Sequence, residues 1–510
     1  MANYYVKNGG NNALDGLSDE NAWETIAKVN SSAGANSVYF KCGSTWREKL
    51  VLPGSGTEGN HIVIGSYGTG AKPRLLGSTA PTGWDQTDIP PDVALPANCW
   101  KATLAAAPSS DLVWFVNADG TVSWGTKQAA LGDCSAEYEW YWHASGYLVV
   151  YAATDPDSRY TSIEVAVAAL EPIITGTRNY ITIQDLEIAF SEARGINADE
   201  WNTGLIQRCL IHHIGYQNAG TAEGIADSSV NLTITGNTIH NCGNHGIFVI
   251  GYDSTCNPTL ITGNTVYDCY HTLIDVQASN TDIQNIVITK NILYTTADYS
   301  FPALGCNAIF VQWQNPKIVS NIEISYNLIT SRFGAGIFIS AGVGPGVTIY
   351  NNTVNGENAL LGAGFYPCVI SQTATAGAVT LKNNIFGNSQ TAGLYANPIA
   401  GVTACDNNCY YNSVGTVYAQ TQAGSYHSDD FAAYKTATGW ETSGLWENPL
   451  FVTPGSDFML QSGSPCVDAG ADVGLTTDIL GVAVPQGSAP DIGAYERAPE
   501  DLFLCVFWDM

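Results

Sequence analysis

From about residue 179 the chain falls into recurrent stretches in which every second residue is apolar. They are YITIQDLEI (180–188), GLIQRCLI (204–211), NLTITGNTI (231–239), TLITGNTV (259–266), NIVITKNIL (285–293), NIEISYNLI (321–329), GVTIYNNTV (346–354), AVTLKNNIF (378–386) and VTACDNNCY (402–410). Alternation with period two is the mark of a strand. Each stretch is interrupted by one polar position, occupied in turn by Asp185, Cys209, Asn237, Asn264, Asn291, Asn327, Asn352, Asn384 and Asn408, at spacings of 24–36 residues. Asn tolerates left-handed backbone best after Gly, and Asn side chains stacked coil on coil form hydrogen-bonded ladders. A helical repeat would space its apolar residues by three and four, which these segments do not. The pattern predicts an all-β parallel solenoid whose coils rise about 4.8 Å each.

A second strand follows each turn: RGINAD (194–199), EGIAD (223–227), HGIFV (245–249), TLIDV (272–276), NAIFV (307–311) and AGIFI (335–339). The central Ile of each points inward and its neighbours outward. Cys242 and Cys269 hold equivalent places in adjacent coils, which predicts stacked inward thiols rather than a bridge.

The ends read differently. Residues 1–80 form a cap and first coils, with Ser18 as N-cap of a short helix over 19–29 that covers the open core. Residues 81–170 hold six of the 13 Trp (Trp84, Trp100, Trp114, Trp124, Trp140, Trp142) among turn-rich strands and read as an inserted β subdomain. Coils occupy 171–470. Residues 471–510 close them and end in an apolar tail, RAPEDLFLCVFWDM, suited to packing on the last coil or in an oligomer.

Composition narrows the ligand. With 19 Lys and Arg against 46 Asp and Glu, the net charge is −27. That far field repels phosphate, so nucleic acid and anionic membrane are excluded as partners. No run approaches the ~20 apolar residues of a membrane span, and MANYYVKNGG lacks a signal peptide's apolar core. The 13 Cys form no CxxC pair, which predicts buried thiols rather than a zinc framework.

The opening YYVKNGG…DGLSDENAWETIAKVN, the segment EYEWYWHASGYLVVYAATDPDSRYTSIEVA and the ending GSPCVDAG…TDILG…APDIGAYE resemble right-handed parallel β-helix proteins of the pectate-lyase-like superfamily. The resemblance covers nearly the whole chain. It implies that fold and a polysaccharide ligand, and it admits lyases, hydrolases, epimerases and phage tailspikes. It also implies an extracellular or virion-surface location, a homotrimer in the tailspike case, and calcium as the one cofactor to consider. The chain departs from the family in its chemistry. A calcium-binding Asp cluster with a downstream Arg is not found. GNHGIFVIG (243–251) resembles the Gly-His-Gly strand of polygalacturonases without the paired Asp before it, and an epimerase Tyr-Gly-x-Asp-Pro-His run is absent.

In a solenoid, a site is a column of outward side chains on successive coils. Before the Gly of the second strand the column reads Arg194, Glu223, His245, Thr272, Asn307, Ala335. Two positions past that Gly it reads Asn197, Ala226, Phe248, Asp275, Phe310, with Asp199 and Asp227 flanking. In the preceding turn His212 aligns with His240, Tyr267 and Tyr294, with His213 and Tyr216 adjacent. Five of the eight His (His212, His213, His240, His245, His271) fall within these 60 residues.

Glycoside hydrolysis needs a proton donor and a second carboxylate, about 5 Å apart for retention or about 6.5–9.5 Å for inversion. Glu223, Asp227 and Asp275 lie within two coils of one another, and Glu223 serves as the acid if its pKa is raised. An elimination would instead use His245 or a Tyr as base, with Arg194 neutralising a uronate. Trp201, Tyr252 and Trp313 are placed to stack on sugar rings. No metal-ligand set is assigned. Hydrolysis of a neutral or weakly charged glycan is the reading the acidic strip favours. A uronate lyase or epimerase and a non-catalytic fibre or adhesion protein remain open beside it. An ordinary polar ladder on a solvated face would look the same.

Overall fold

A computed structural model describes residues 1–216, 220–251, 258–296, 306–312, 316–332, 334–340, 342–356, 365–371, 378–389, 392–412, 419–421 and 424–498. Strands Asn3–Val6, Ser37–Lys41 and Ile62–Tyr67 pair in parallel. The series then passes directly from Ile62–Tyr67 to Asn179–Gln184 and on to Ile196–Gln207 and Ile225–Thr235. A second parallel sheet runs along the solenoid from Thr45–Trp46 to Cys409–Tyr411. Between these coils, from Ser78–Thr79 to Tyr160–Ala166, the chain departs into two four-stranded sheets, one antiparallel and one with a single parallel pair at its edge. No helix among the described residues is long and apolar enough to cross a membrane.

The register follows the apolar pattern. Ile196, Ile225, Ile247, Ile274, Ile309 and Ile337 lie opposite one another in successive coils and are fully buried. Cys242 and Cys269 are buried and not joined by a disulfide. Gly195 and Gly224 before this strand are obligatory, since a Cβ there would come within 2.7 Å of the next coil's carbonyl.

The Asn side chains form a continuous buried ladder. Each of Asn237, Asn264, Asn291, Asn327, Asn352 and Asn384 donates its backbone N–H and Nδ2 to the Oδ1 of the next, at 2.9–3.0 Å. The ladder closes on Glu441, whose fully buried carboxylate accepts from Asn408 N (3.1 Å), Asn408 Nδ2 (2.7 Å) and Tyr410 Oη (2.8 Å). Burial pushes the Glu441 carboxyl up. The left-handed residue is not the ladder Asn but the one before it: Gly236, Gly263, Lys290, Tyr326, Asn351, Asn383 and Asn407 have φ of +51° to +64°. Asp185 shares that place with Arg208, to which it is paired at 2.8 Å, so the ladder position of its coil is the buried Leu186.

Other boundaries also move. The cap helix is Ile26–Ser32, with Thr25 rather than Ser18 accepting from Lys28 N at 3.1 Å. Asp19 is drawn instead to Lys41 Nζ (2.8 Å) and Tyr67 Oη (2.7 Å), which holds 19–25 out of the helix. The last parallel strand is Ala419–Thr421, and one further parallel bridge joins Cys409 to Leu445, so the coils end well short of 470. Helix Phe431–Thr438 and hairpin Phe451–Thr453 with Asp457–Leu460 follow. Residues 469–493 then run back along the outer edge of the Asn turns, bonded to Asn407, Asn383 and Asn351. The apolar tail from 499 lies outside the described residues.

Asp227 lies among the inward positions, opposite Ala198 and Val249, and is fully buried. It accepts from Ser229 N (2.8 Å), Ser229 Oγ and Thr259 Oγ1 (3.1 Å), and burial raises its pKa to about 6. A carboxyl that binds its proton more tightly folded than unfolded stabilises fully below about pH 4, and that contribution is lost as pH rises through 6. At 1.36 kcal/mol per pKa unit the loss is about 3 kcal/mol. Asp227→Asn is therefore expected to raise the unfolding midpoint at pH 7.5 far more than at pH 4.5, measured by calorimetry. Equal shifts at both pH values would contradict this account.

Candidate active site on the coil face

The outward columns form as the strand register dictates. His245, Thr272 and Asn307 lie opposite one another, as do Asn197, Ala226, Phe248, Asp275 and Phe310. Around this face Arg194 Nε donates to Glu223 Oε2 at 3.0 Å, and its Nη1 reaches Asn197 Oδ1 (3.1 Å) and Asp199 Oδ2 (3.3 Å). His245 stands between two carboxylates. Its Nδ1 is 4.0 Å from Glu223 Oε1 and its Nε2 is 3.3 Å from Asp275 Oδ2. Gln312 Nε2 donates to both Asp275 oxygens at 3.0 and 2.9 Å. Phe248 stacks on the His245 ring at 4.5 Å.

Glu223 and Asp275 are fully buried, and His245 is 6% exposed. Burial raises the Glu223 pKa against the opposing pull of Arg194. Glu223 Oε1 and His245 Nδ1 are both buried without a hydrogen-bond partner. Such atoms are costly unless the carboxyl carries a proton or a ligand completes the set. Arg194 is shared by Glu223 and Asp199, while Asp275 is held by His245 and Gln312.

His271 and Gln312 join this site although the column reading did not select them. The coil period was the available signal. His245 pairs with Thr272, so His271 must lie beside it. Among the described residues, His245, His271 and Asp275 are the one group of three His, Cys, Asp or Glu side chains whose ligand atoms lie within 4.8 Å of one another. Two imidazoles and one carboxylate do not fit calcium, which takes six to eight oxygens.

Several expected members stand elsewhere. Asp227 points into the core, as above. Trp201 is fully buried, its Nε1 donating to Gly176 O at 2.8 Å, and offers no face to a sugar. Tyr216 is 51% exposed at the corner before the site. Tyr252 and Trp313 lie outside the described residues.

His212, His213 and His240 belong to the second sheet, where His212, His240, Tyr267 and Tyr294 stack at 4.6–5.1 Å with near-parallel rings. His212 Nδ1 and His213 Nδ1 share a hydrogen bond of 2.8 Å. Burial drives the His240 pKa down to about 4 and that of His213 well below its usual value. With Trp124, Phe190, Glu187 and Arg74 they line a cleft of about 650 Å³ against the inserted subdomain. Trp114 and Trp140 are buried in the subdomain and Trp84 nearly so, which makes them packing residues.

Residues 173–354 match the family model for the right handed beta helix region. No curated protein matches the sequence. Similar solved structures include a complex of XylC with xylose (14% identity, 76% of this chain and 77% of that one, TM-score 0.52). The pectate lyase Pel9A is 15% identical over 98% of this chain and 96% of its own, with a TM-score of 0.51. A glycoside hydrolase is 11% identical over 87% and 97%, with a TM-score of 0.52. At such identities the likeness is one of fold. The parallel coils, the Asn ladder and the family match together make this chain a right-handed parallel β-helix protein.

Proposed function

We propose that the protein binds a neutral or weakly charged polysaccharide across the coils from Arg194 to Gln312 and hydrolyses it. One observation carries the reading: Glu223, fully buried with an unpartnered Oε1, faces Asp275 across the His245 imidazole. Glu223 protonates the departing glycosidic oxygen. Asp275 and His245 stand on the side where the attacking water loses its proton. Retaining pairs stand roughly 5–5.5 Å apart and inverting pairs roughly 6.5–9.5 Å, and the anomer of the product tells the two apart. Elimination from a uronate is disfavoured because Arg194 is already engaged by Glu223 and Asp199. Proteins named pectate lyase and glycoside hydrolase share this fold, which supports a glycan ligand for it.

The test is product analysis over a panel of neutral and acidic glycans. New reducing ends without ultraviolet absorbance are expected, and NMR of the fresh product assigns inversion or retention. Unsaturated, absorbing products would replace hydrolysis with elimination. Binding without any product would leave an adhesion protein.

A further inference from the structure

We propose that His245, His271 and Asp275 hold a divalent transition-metal ion, with Zn²⁺ the best match. The three donors converge within 4.8 Å, and the contact between His245 Nε2 and Asp275 Oδ2 is 3.3 Å. Bonds of about 2.0–2.1 Å in a tetrahedron set ligand atoms about 3.3 Å apart, so this edge already has the length a Zn²⁺ ion requires. Two imidazoles and one carboxylate are a donor set for zinc or iron rather than magnesium or calcium.

The surroundings hold each ligand in place. Thr272 Oγ1 bonds to His271 Nδ1 at 3.0 Å, which leaves Nε2 as the ligand atom. Gln312 fixes the Asp275 carboxylate through both oxygens. Phe248 packs flat on His245 and shields one side. Outer contacts of this kind orient metal ligands. Two adjacent coils supply the donors: His245 from one, His271 and Asp275 from the next. The rigid rung spacing therefore sets the site before any ion arrives. Three protein ligands leave a fourth position for water, whose pKa zinc lowers to about 7. The ion's role in catalysis rests on the glycan reading, since it lies where Asp275 and His245 face the attacking water; its binding does not.

Metal analysis of the purified protein, then Co²⁺ titration of chelator-treated protein followed by visible absorption, tests the proposal. One Co²⁺ per chain with the intense bands of a four-coordinate ion is expected. His271→Ala, at a partly buried corner position, should remove those bands with the fold intact by circular dichroism. Gln312→Ala should weaken Co²⁺ about 10–100-fold. A protein that takes up no stoichiometric Co²⁺, or a His271→Ala variant that binds it as wild type does, overturns the site. Metal binding without glycan cleavage would sink only the hydrolase reading. Cleavage indifferent to chelator, in a protein that binds no metal, would sink only the metal.

Discussion

Glu223→Gln is expected to lower glycan cleavage by about 10²–10⁴-fold, the usual worth of a positioned acid, with thermal unfolding little changed. Gln keeps the volume of the side chain and an oxygen for Arg194 Nε, which donates to Oε2 at 3.0 Å in wild type. It removes the proton that the leaving oxygen needs. It also removes a carboxyl that burial disfavours as an anion, so stability should hold or rise slightly. The comparison is of initial rates of reducing-end release on a glycan that wild type cleaves. A variant within a fewfold of wild type would falsify the assignment of Glu223. Asp199→Asn is the control. Asp199 touches Arg194 from a more exposed place, and a surface ion pair of this kind contributes about 0–1 kcal/mol. Losing it should cost little activity.

Asn291→Ala should destabilise the protein by about 4–6 kcal/mol, one of the larger effects of any single side chain. Asn291 Oδ1 accepts from Asn264 N and Nδ2, and its own Nδ2 donates to Ile261 O, Thr289 O and Asn327 Oδ1, all near 3.0 Å. Removing it takes the acceptor from the buried Asn264 N and strips one bond each from Asn264 Nδ2, Ile261 O, Thr289 O and Asn327 Oδ1, with about 1–3 kcal/mol for a group left unsatisfied. Asn291→Asp restores the acceptor but not the donor and should fall between wild type and Ala. Denaturant unfolding of the three proteins measures the order, and an Ala variant within 1 kcal/mol of wild type would show that the ladder is ornamental.

The coils could be read from the sequence because strand parity and coil period are local and repeat. The inward Ile column and the Asn ladder follow from them directly. The errors arise where parity breaks or contacts are long-range. A bulge between Asp199 and Asn202 shifts the register and turns Trp201 into the core. Asp227 stands one residue short of the place equivalent to Asp199, which pairs with Ser228, so it faces inward. The cleft at His212 and His213 depends on Trp124, nearly 90 residues away in the insertion, whose ring lies 5.7 Å from His213. No pattern along the chain encodes that docking. His271 sits at a corner, where neither strand parity nor the column reading places a side chain.

The ladder also has a direction. Every Asn donates its N–H toward the coil that follows it in the chain, and Glu441 accepts the last of these donations. During synthesis from the N-terminus, the newest coil therefore ends on donors that only the next coil can satisfy. Each coil is a template awaiting its successor, and the nascent protein stays open to growth until residue 441 emerges. A chain halted between coils would display unsatisfied donors and a bare strand edge, a surface that invites pairing with a second copy. Assembly is thus a ratchet that a single buried carboxylate brings to a stop.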